Sequence, residues 1–296
     1  MKKTSISLIL AFAMITLHAQ NVEYSKEDST KIVKILTDAQ KADVGNSSMI
    51  YFGKKFLGVP YVAHTLENGD LEHLIVNTRG LDCTTFVETV LALNMCYELK
   101  QTGFDDFCDN LKKIRYRGGK LVDYTSRLHY FTWWGEDNEK MGIVKAVVDV
   151  NPNTPFSACQ EIKVNYMTKN PNLYKQLKNH PDYIPLIKKY EDESNGSTYR
   201  YIPKSKLNLS RNSLGLYVHD GDIISILTSK DGLDTSHIGM AFWQGGRLHM
   251  MHASSVAKKV IMDNSLLYDY MKSRQTQIGI RVYRPIRQTV ENDENP

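Results

Sequence analysis

The chain is poor in cysteine, with only four in 296 residues. They stand at Cys83, Cys96, Cys108 and Cys159. Four are too few for a fold held together mainly by disulfides, which depends on a high density of cysteines. A disulfide between two of the last three stays open, and the sequence does not say which two.

Strong net charge is also missing, because 37 basic and 33 acidic residues leave a formal charge of only +4. So small an excess gives no argument for binding nucleic acid or an anionic membrane surface. The chain has neither an internal repeat nor a low-complexity tract, which excludes repeat and fibrous architectures. We therefore expect an ordinary globular protein without a nucleic-acid partner, and its oligomeric state stays open.

A long apolar run occurs only at the start of the chain. Lys2 and Lys3 precede an apolar segment at 6–17, which is too short to span a bilayer. This is the pattern of a secretory signal peptide. We predict that residues 1–20 are removed on export, and that residues 21–296 form one domain in the periplasm. We expect no stable membrane insertion after this cleavage.

The stretch Leu81 to Leu99, LDCTTFVETVLALNMCYEL, predicts a buried helix. Its apolar residues recur at helical spacing on two adjoining stripes. Asp82 stands where an N-cap belongs, so Cys83 occupies about the first helical position. The helix dipole and the free N–H groups there stabilise a thiolate, and we expect a lowered pKa for Cys83. Cys83 is the leading candidate for a nucleophile; the alternative is a small buried side chain.

From Asp220 onward the pattern is that of short antiparallel strands. The segments are GDIISIL, SHIGMAFW, RLHMMHAS, KKVIM and IGIRVYR, with a short helix around 266–272. The central strands are rich in β-branched and aromatic residues, and the breaks between segments contain glycine or polar residues. This region predicts an antiparallel sheet.

A two-residue hairpin loop at Gly245–Gly246 sets the register of two of these strands. In that register Gly239 lies opposite His252. Because side chains alternate across a strand, His237 and His252 share one face as diagonal neighbours, roughly 5 to 8 Å apart. We expect a helix packed on that face to bring Cys83 to His237, which would make a nucleophile and base.

Residues 115–216, between these two regions, have the pattern of a long insertion. Prolines interrupt it, and we expect an edge strand in YRYIPKSKL that Pro203 ends. The run YRGGKLVDYTSRLHYFTWW contains Arg127, His129 and Tyr130, and such mixtures of aromatic and basic groups often line clefts. These three are candidate substrate contacts, Arg127 for a peptide carboxylate, with ordinary packing as the alternative. The insertion is expected to decorate a core made by its two flanks.

These motifs also carry a resemblance to a known family. Cys83 in LDCTTF, His237 in SHIGMAF and His252 in LHMMHAS, preceded by Tyr61 in GVPYV, resemble the NlpC-type papain-fold cell-wall hydrolases. The longer pattern of LDCTTFVET, YRGG, SRLHYF, HIGM and HASS is similar to their N-acetylmuramoyl-L-alanine amidase branch. The resemblance implies an α+β, papain-like fold. In such a fold the cysteine begins a central helix packed on an antiparallel sheet or half-barrel, here with a long helical or loop insertion.

The resemblance further implies a cysteine hydrolase of muropeptides or peptidoglycan that cleaves the amide between N-acetylmuramic acid and L-alanine. Its catalytic residues would be Cys83, His237 and His252, and the oxyanion donors the Cys83 N–H and the Tyr61 hydroxyl. Tyr61 has packing as its alternative role. No metal or other cofactor is required. A zinc amidase using His237, His249 and His252 is disfavoured, because His249 points to the opposite strand face.

The motif departs from the commoner DCSGF pattern, in which the aspartate and serine help recognise a free peptide amine. Here Thr84 and Thr85 replace the serine and the glycine. The departure favours the sugar-to-peptide amide over the bond cut by a γ-D-glutamyl-diamino-acid endopeptidase, which stays the alternative. Asp82 keeps two roles, helix cap or substrate contact. A catalytically idle domain that binds cell-wall fragments is the third hypothesis.

Overall fold

A computed structural model describes residues 22–42, 44–45 and 48–289 of the chain. The predicted signal peptide at 1–20 lies outside these residues, so its cleavage and the export of the protein stay predictions. Among the described residues, no helix is both long and apolar enough to cross a membrane. The same part of the chain contains all four cysteines, and each of them is a free thiol.

The described chain is α+β. Its helices are α1 (Lys26–Ala42), α2 (Ser48–Lys54), α3 (Cys83–Glu98), α4 (Phe104–Arg115), α5 (Phe131–Lys140), α6 (Tyr166–Lys169), α7 (Lys175–Asn179), α8 (Ile184–Ser194), α9 (Arg211–Leu214) and α10 (Leu267–Lys272). Its strands are β1 (Val22–Glu23), β2 (Leu74–Ile75), β3 (Val144–Val147), β4 (Ala158–Glu161), β5 (Thr198–Pro203), β6 (Ile223–Thr228), β7 (Thr235–Gln244), β8 (Arg247–Ser254), β9 (Lys259–Met262) and β10 (Gln277–Pro285).

Eight of the strands form one sheet in the order β4-β5-β10-β6-β7-β8-β9, with β3 paired to β10. Every pairing in this sheet is antiparallel. In the β7–β8 hairpin Met240 pairs with Met251 and Gln244 with Arg247, which confirms the predicted register. The loop glycines Gly245 and Gly246 have φ values of 56° and 74°, as a two-residue hairpin turn requires.

Helix α3 is the central helix, and it begins at Cys83 as predicted. The Asp82 carboxylate accepts from the Thr85 N–H at 2.8 Å, and the Thr85 hydroxyl oxygen accepts from the Asp82 N–H at 2.9 Å. This capping box satisfies N–H groups that an open helix start leaves without partners. Residues 85–96 are all buried, because α1, α2, α4 and the strands β7 and β8 surround the helix.

Residues 115–216 are more than a surface addition, and the expectation that they only decorate the core is wrong. Strands β3, β4 and β5 all come from this segment and join the main sheet. Strand β5 is paired on both sides, with β4 and β10, so it is not the edge strand that was predicted. Trp133 and Trp134 of α5 lie in the large core cluster that contains α3. Their aromatic burial ties the segment to the fold.

A buried ion pair joins α3 to the end of α4. The Arg115 Nε lies 2.7 Å from the Glu88 Oε2, and the two side chains are 2% and 3% exposed. The Arg115 guanidinium also donates to the Ile75 carbonyl at 2.8 Å. Neither charge has access to bulk water, so each depends on the other for compensation.

Arg115→Met is therefore expected to lower the free energy of unfolding by about 3 to 5 kcal/mol, because it leaves the Glu88 carboxylate buried without its cation. The double variant Glu88→Leu/Arg115→Met removes both charges and should recover most of that loss. Urea unfolding followed by circular dichroism measures both. A single variant as stable as the parent protein would show that the pair contributes nothing.

Candidate active site

Cys83 and His237 line the same cavity, which has a volume of about 200 Å³. Cys83 lies on its wall at the first residue of α3, and His237 comes from the start of β7. The backbone N–H of Ile238, the residue after His237, is a hydrogen-bond partner of the Cys83 sulfur. Strand β7 therefore brings the predicted imidazole into the neighbourhood of the predicted nucleophile.

The route by which they meet differs from the one predicted. Helix α3 packs on the sheet face that carries Met240 and Met251, whereas the neighbouring residues Ala241 and Met250 face a second core cluster with α10. By strand alternation His252 lies on the α10 face. Cys83 lies beside β7 at the start of α3, and not across the face on which that helix packs.

His237 and His252 form a close pair. The His237 Nε2 is 2.6 Å from the His252 Nδ1, and the two rings are nearly perpendicular, at 83°. His252 has no exposed surface. Since the Nε2 of His237 faces its neighbour, Nδ1 is the nitrogen left for proton exchange with Cys83. Two histidines predicted to share a strand face are in hydrogen-bond contact.

Three further residues surround this pair and were not identified from the sequence. The Asp263 Oδ2 lies 3.4 Å from the His252 Nε2. Tyr270 of α10 stacks on His237 with ring centroids 6.2 Å apart. The Arg274 guanidinium lies over the Tyr270 ring, 3.8 Å from the ring centroid. The helix carrying Tyr270 was predicted, but no local pattern says that it packs on the two imidazoles.

Burial sets the protonation of both reacting groups. It raises the pKa of the Cys83 thiol to about 12, and the neighbouring Asp82 carboxylate acts in the same direction. Burial also lowers the pKa of His237 to about 3, and it lowers the pKa of His252. The thiolate expected from the helix dipole is therefore opposed by desolvation. A lone charge on either group is unfavourable, so ionisation of Cys83 would require His237 to take the proton.

This coupling makes a prediction for thiol alkylation. His237→Gln should slow iodoacetamide labelling of Cys83 at pH 7 at least about tenfold, because the variant removes the proton acceptor that allows a thiolate. Cys159 is exposed and provides a control within the same molecule, since its labelling should not change. Quantitative peptide mass spectrometry measures both rates. Equal labelling of Cys83 in the parent and variant proteins would contradict the coupling.

Asp82 is confirmed as the helix cap, because its Oδ1 accepts from both the N–H and the hydroxyl of Thr85 at 2.8 Å. Asp82 also lines a second cavity of about 180 Å³. This cavity shares Thr84, Leu128 and His129 with the first, so the two are adjacent, but Cys83 lines only the first. A carboxylate turned toward its own helix is less available to a substrate amine.

Arg127 lines the second cavity, but its charge is already neutralised. Its guanidinium lies 2.7 Å from Glu67 and 3.4 Å from Glu72, and it also donates to the Leu66 carbonyl. The side chain is buried. The structure therefore argues against the predicted role of Arg127 in binding a substrate carboxylate, since that role would require breaking two internal ion pairs.

Tyr130 lines the first cavity, but its hydroxyl is also occupied. It donates to Glu191 at 2.7 Å and accepts from the Met167 N–H at 3.0 Å. Both partners belong to the 115–216 segment. The hydroxyl thus holds this segment together, and the predicted substrate contact through it is not supported.

His129 and Tyr61 are both half-buried, and His129 lines both cavities. The His129 Nε2 is 2.8 Å from the Tyr124 carbonyl, which only accepts, so this nitrogen carries the proton and Nδ1 is an acceptor. Burial, followed by the charge of Arg127, lowers the pKa of His129 well below its usual value. Burial raises the pKa of Tyr61 to about 12, with Cys83 and Asp82 contributing, so Tyr61 is a neutral phenol near both.

The three histidines of the zinc alternative are not arranged as ligands. The His249 Nδ1 contacts the Asp263 carbonyl at 3.1 Å, and its ring stacks on Phe242, away from the His237–His252 pair. Across the described part of the chain, no three His, Cys, Asp or Glu side chains are grouped so that they could hold a metal ion.

Comparison with protein families identifies an amidase-like protein. The model of the AmiA-like family, described as N-acetylmuramoyl-L-alanine amidase-like, matches residues 51–280. This match covers most of the chain and includes Cys83, His237 and His252. The chain belongs to the AmiA-like family.

Solved structures agree with this assignment. An N-acetylmuramoyl-L-alanine amidase from Bacteroides uniformis is 39% identical, and the alignment covers 81% of this chain and 100% of that one, with a TM-score of 0.73. A "putative xylanase" from Bacteroides fragilis is 40% identical over 79% and 99% of the two chains, also with a TM-score of 0.73. A Legionella pneumophila protein at 23% identity, covering 89% and 96%, shares the fold with a TM-score of 0.63. No curated protein matches the chain.

Proposed function

We propose that this protein is an exported, cysteine-dependent amidase that hydrolyses the amide between N-acetylmuramic acid and L-alanine in muropeptides or peptidoglycan. One observation carries the proposal: Cys83 shares a cavity with His237, whose second ring nitrogen is 2.6 Å from buried His252. This is the order of nucleophile, base and orienting group used for acyl transfer. Membership of the AmiA-like family supports the amide as the bond that is attacked.

In the first half-reaction the Cys83 sulfur attacks the lactyl carbonyl carbon while His237 takes the thiol proton. Proton transfer and bond formation occur together, because burial disfavours a separate thiolate or imidazolium. The imidazolium then gives its proton to the alanine nitrogen, and the C–N bond breaks. The peptide leaves with a free amine, and the sugar stays on Cys83 as a thioester.

In the second half-reaction water gives a proton to His237 and attacks the thioester carbonyl. The C–S bond breaks, the thiol regains the proton, and the sugar leaves as a lactyl carboxylic acid. His252 orients the His237 ring throughout, since their nitrogens are in hydrogen-bond contact. The two neutral resting groups are thereby restored.

The oxyanion formed in both half-reactions needs hydrogen-bond donors. The backbone N–H of Cys83 is the first, because the opening N–H groups of a helix have no partner within it. The Tyr61 hydroxyl is the second, since its raised pKa keeps it protonated beside Cys83. Both are part of the proposal, together with a papain-like arrangement of the NlpC type and a location in the periplasm.

Mass spectrometry of a muropeptide digest tests the function. The proposal expects free disaccharide and intact stem peptides after incubation with the purified mature protein. Split stem peptides would identify the endopeptidase in its place, and no products under conditions where the protein is folded would indicate a binding domain. Cys83→Ala serves as the control for contaminating hydrolases.

A further inference from the structure

Asp263 ends a chain of polar contacts that begins at His237 and passes through His252. It follows β9, and its backbone is held by the Met250 carbonyl at 3.0 Å and by the His249 ring at 3.1 Å. The Oδ1 accepts from the Ser265 N–H at 2.8 Å, which leaves the Oδ2 for the Nε2 of His252. Contacts to the Asp263 backbone and to its Oδ1 thus hold the carboxylate in place beside His252.

The direction of these hydrogen bonds follows from which atoms can donate. An ionised carboxylate only accepts, so the Nε2 of His252 must carry a proton. A neutral His252 then has a bare Nδ1, which must accept from the Nε2–H of His237 at 2.6 Å. A neutral His237 protonated at Nε2 has a bare Nδ1, and this is the form that can take the Cys83 proton.

The opposite arrangement would leave the site inactive. If His252 were protonated at Nδ1, it would donate to the Nε2 of His237, which would then carry its proton on Nδ1. That nitrogen could no longer accept a proton from Cys83. Two neutral imidazoles in contact allow both arrangements, so another group has to select one of them.

We propose that Asp263 is a positioning residue that fixes the tautomers of His252 and His237 so that a bare Nδ1 serves Cys83. The other charged group beside the pair is Arg274, whose guanidinium lies on Tyr270. It donates to the Tyr270 carbonyl, and the structure shows no hydrogen bond from it to either imidazole. The kinetic part of this inference rests on the amidase function proposed above, whereas the tautomers can be observed without any substrate.

Asp263→Asn tests the inference because it keeps the shape and inverts the hydrogen bonding. Its one oxygen is required by the Ser265 N–H, so its NH2 group faces the His252 Nε2 and favours a proton on Nδ1. A wrong tautomer in a serine hydrolase triad lowers turnover about 10⁴-fold. Asp263 acts one ring further away, and we expect a loss of about tenfold to a thousandfold in kcat with little change in KM.

Long-range ¹H–¹⁵N NMR of the substrate-free protein at pH 7 reads the tautomers directly. We expect Nε2–H on both His237 and His252 in the parent protein and Nδ1–H on both in Asp263→Asn. The exposed Asp269→Asn is the matched control and should leave both rings unchanged. Rings that keep the same tautomer in the parent protein and in Asp263→Asn would overturn the proposal, whatever the activity.

The His252→Asn background separates positioning from a general structural role. The amide oxygen of Asn accepts from the His237 Nε2–H without needing Asp263. Adding Asp263→Asn in this background should therefore change kcat less than about twofold, if the carboxylate acts only through His252. An equal loss in both backgrounds would mean that Asp263 supports the fold and not the tautomer.

Discussion

Cys83→Ser is expected to lower turnover at least about a thousandfold while the protein still folds. A serine hydroxyl in the same buried position is a much weaker nucleophile than a thiol at neutral pH. Burial already raises the pKa of the thiol to about 12, and it acts against an alkoxide in the same way. The measurement is the initial rate of disaccharide release from a muropeptide, compared with thermal unfolding of the same sample.

Cys159→Ser is the matched control for this result, because the exposed Cys159 lies outside both cavities. It should hydrolyse muropeptides at the parent rate. A Cys83→Ser protein with an unchanged melting temperature and near-normal turnover would eliminate the cysteine mechanism. Equal losses in both variants would indicate a general effect of thiol replacement.

The parts of the fold predicted from the sequence are those with strong local signals. The start of α3 follows from Asp82 as an N-cap, and the apolar stripes behind it indicate a buried helix. The β7–β8 register follows from the Gly245–Gly246 loop alone. These two elements carry Cys83, His237 and His252, so the central part of the candidate site could be predicted before any tertiary contact was known.

The predictions that failed depend on partners distant in the sequence. The sequence of β5 predicts an edge strand, because no local sequence pattern shows that β10 pairs with its second side. The sequence around Arg127 shows no partner for its charge. Glu67 and Glu72, which neutralise it, lie far away in the sequence, before α3. The contact between Asp263 and His252 is likewise formed only when β9 folds back beside β8. Burial and pairing of polar groups are tertiary properties, and a local pattern does not encode them.

Which substrate bond is cleaved depends on whether the Asp82 carboxylate is free to bind a peptide amine. Its Oδ1 accepts two hydrogen bonds from Thr85, which stands where the commoner motif has glycine and where no side chain could donate. The other carboxylates lining the second cavity, Glu67 and Glu88, are paired with Arg127 and Arg115. A substrate ammonium placed there would compete with Thr85, Arg127 and Arg115 for these carboxylates, although the Glu67 Oε2 has no partner of its own.

Under the proposed amidase function, we expect a muramoyl peptide to be cleaved at the lactyl–alanine amide, and the same peptide with a free N-terminal alanine, which has no such amide, to give no product. Both substrates are compared by kcat/KM under identical conditions, with mass spectrometry to locate the broken bond. An N-acetylated peptide, which keeps an amide to alanine but lacks the sugar, shows how much of kcat/KM depends on the sugar. Efficient cleavage of the free peptide between D-glutamate and the diamino acid would instead identify an endopeptidase.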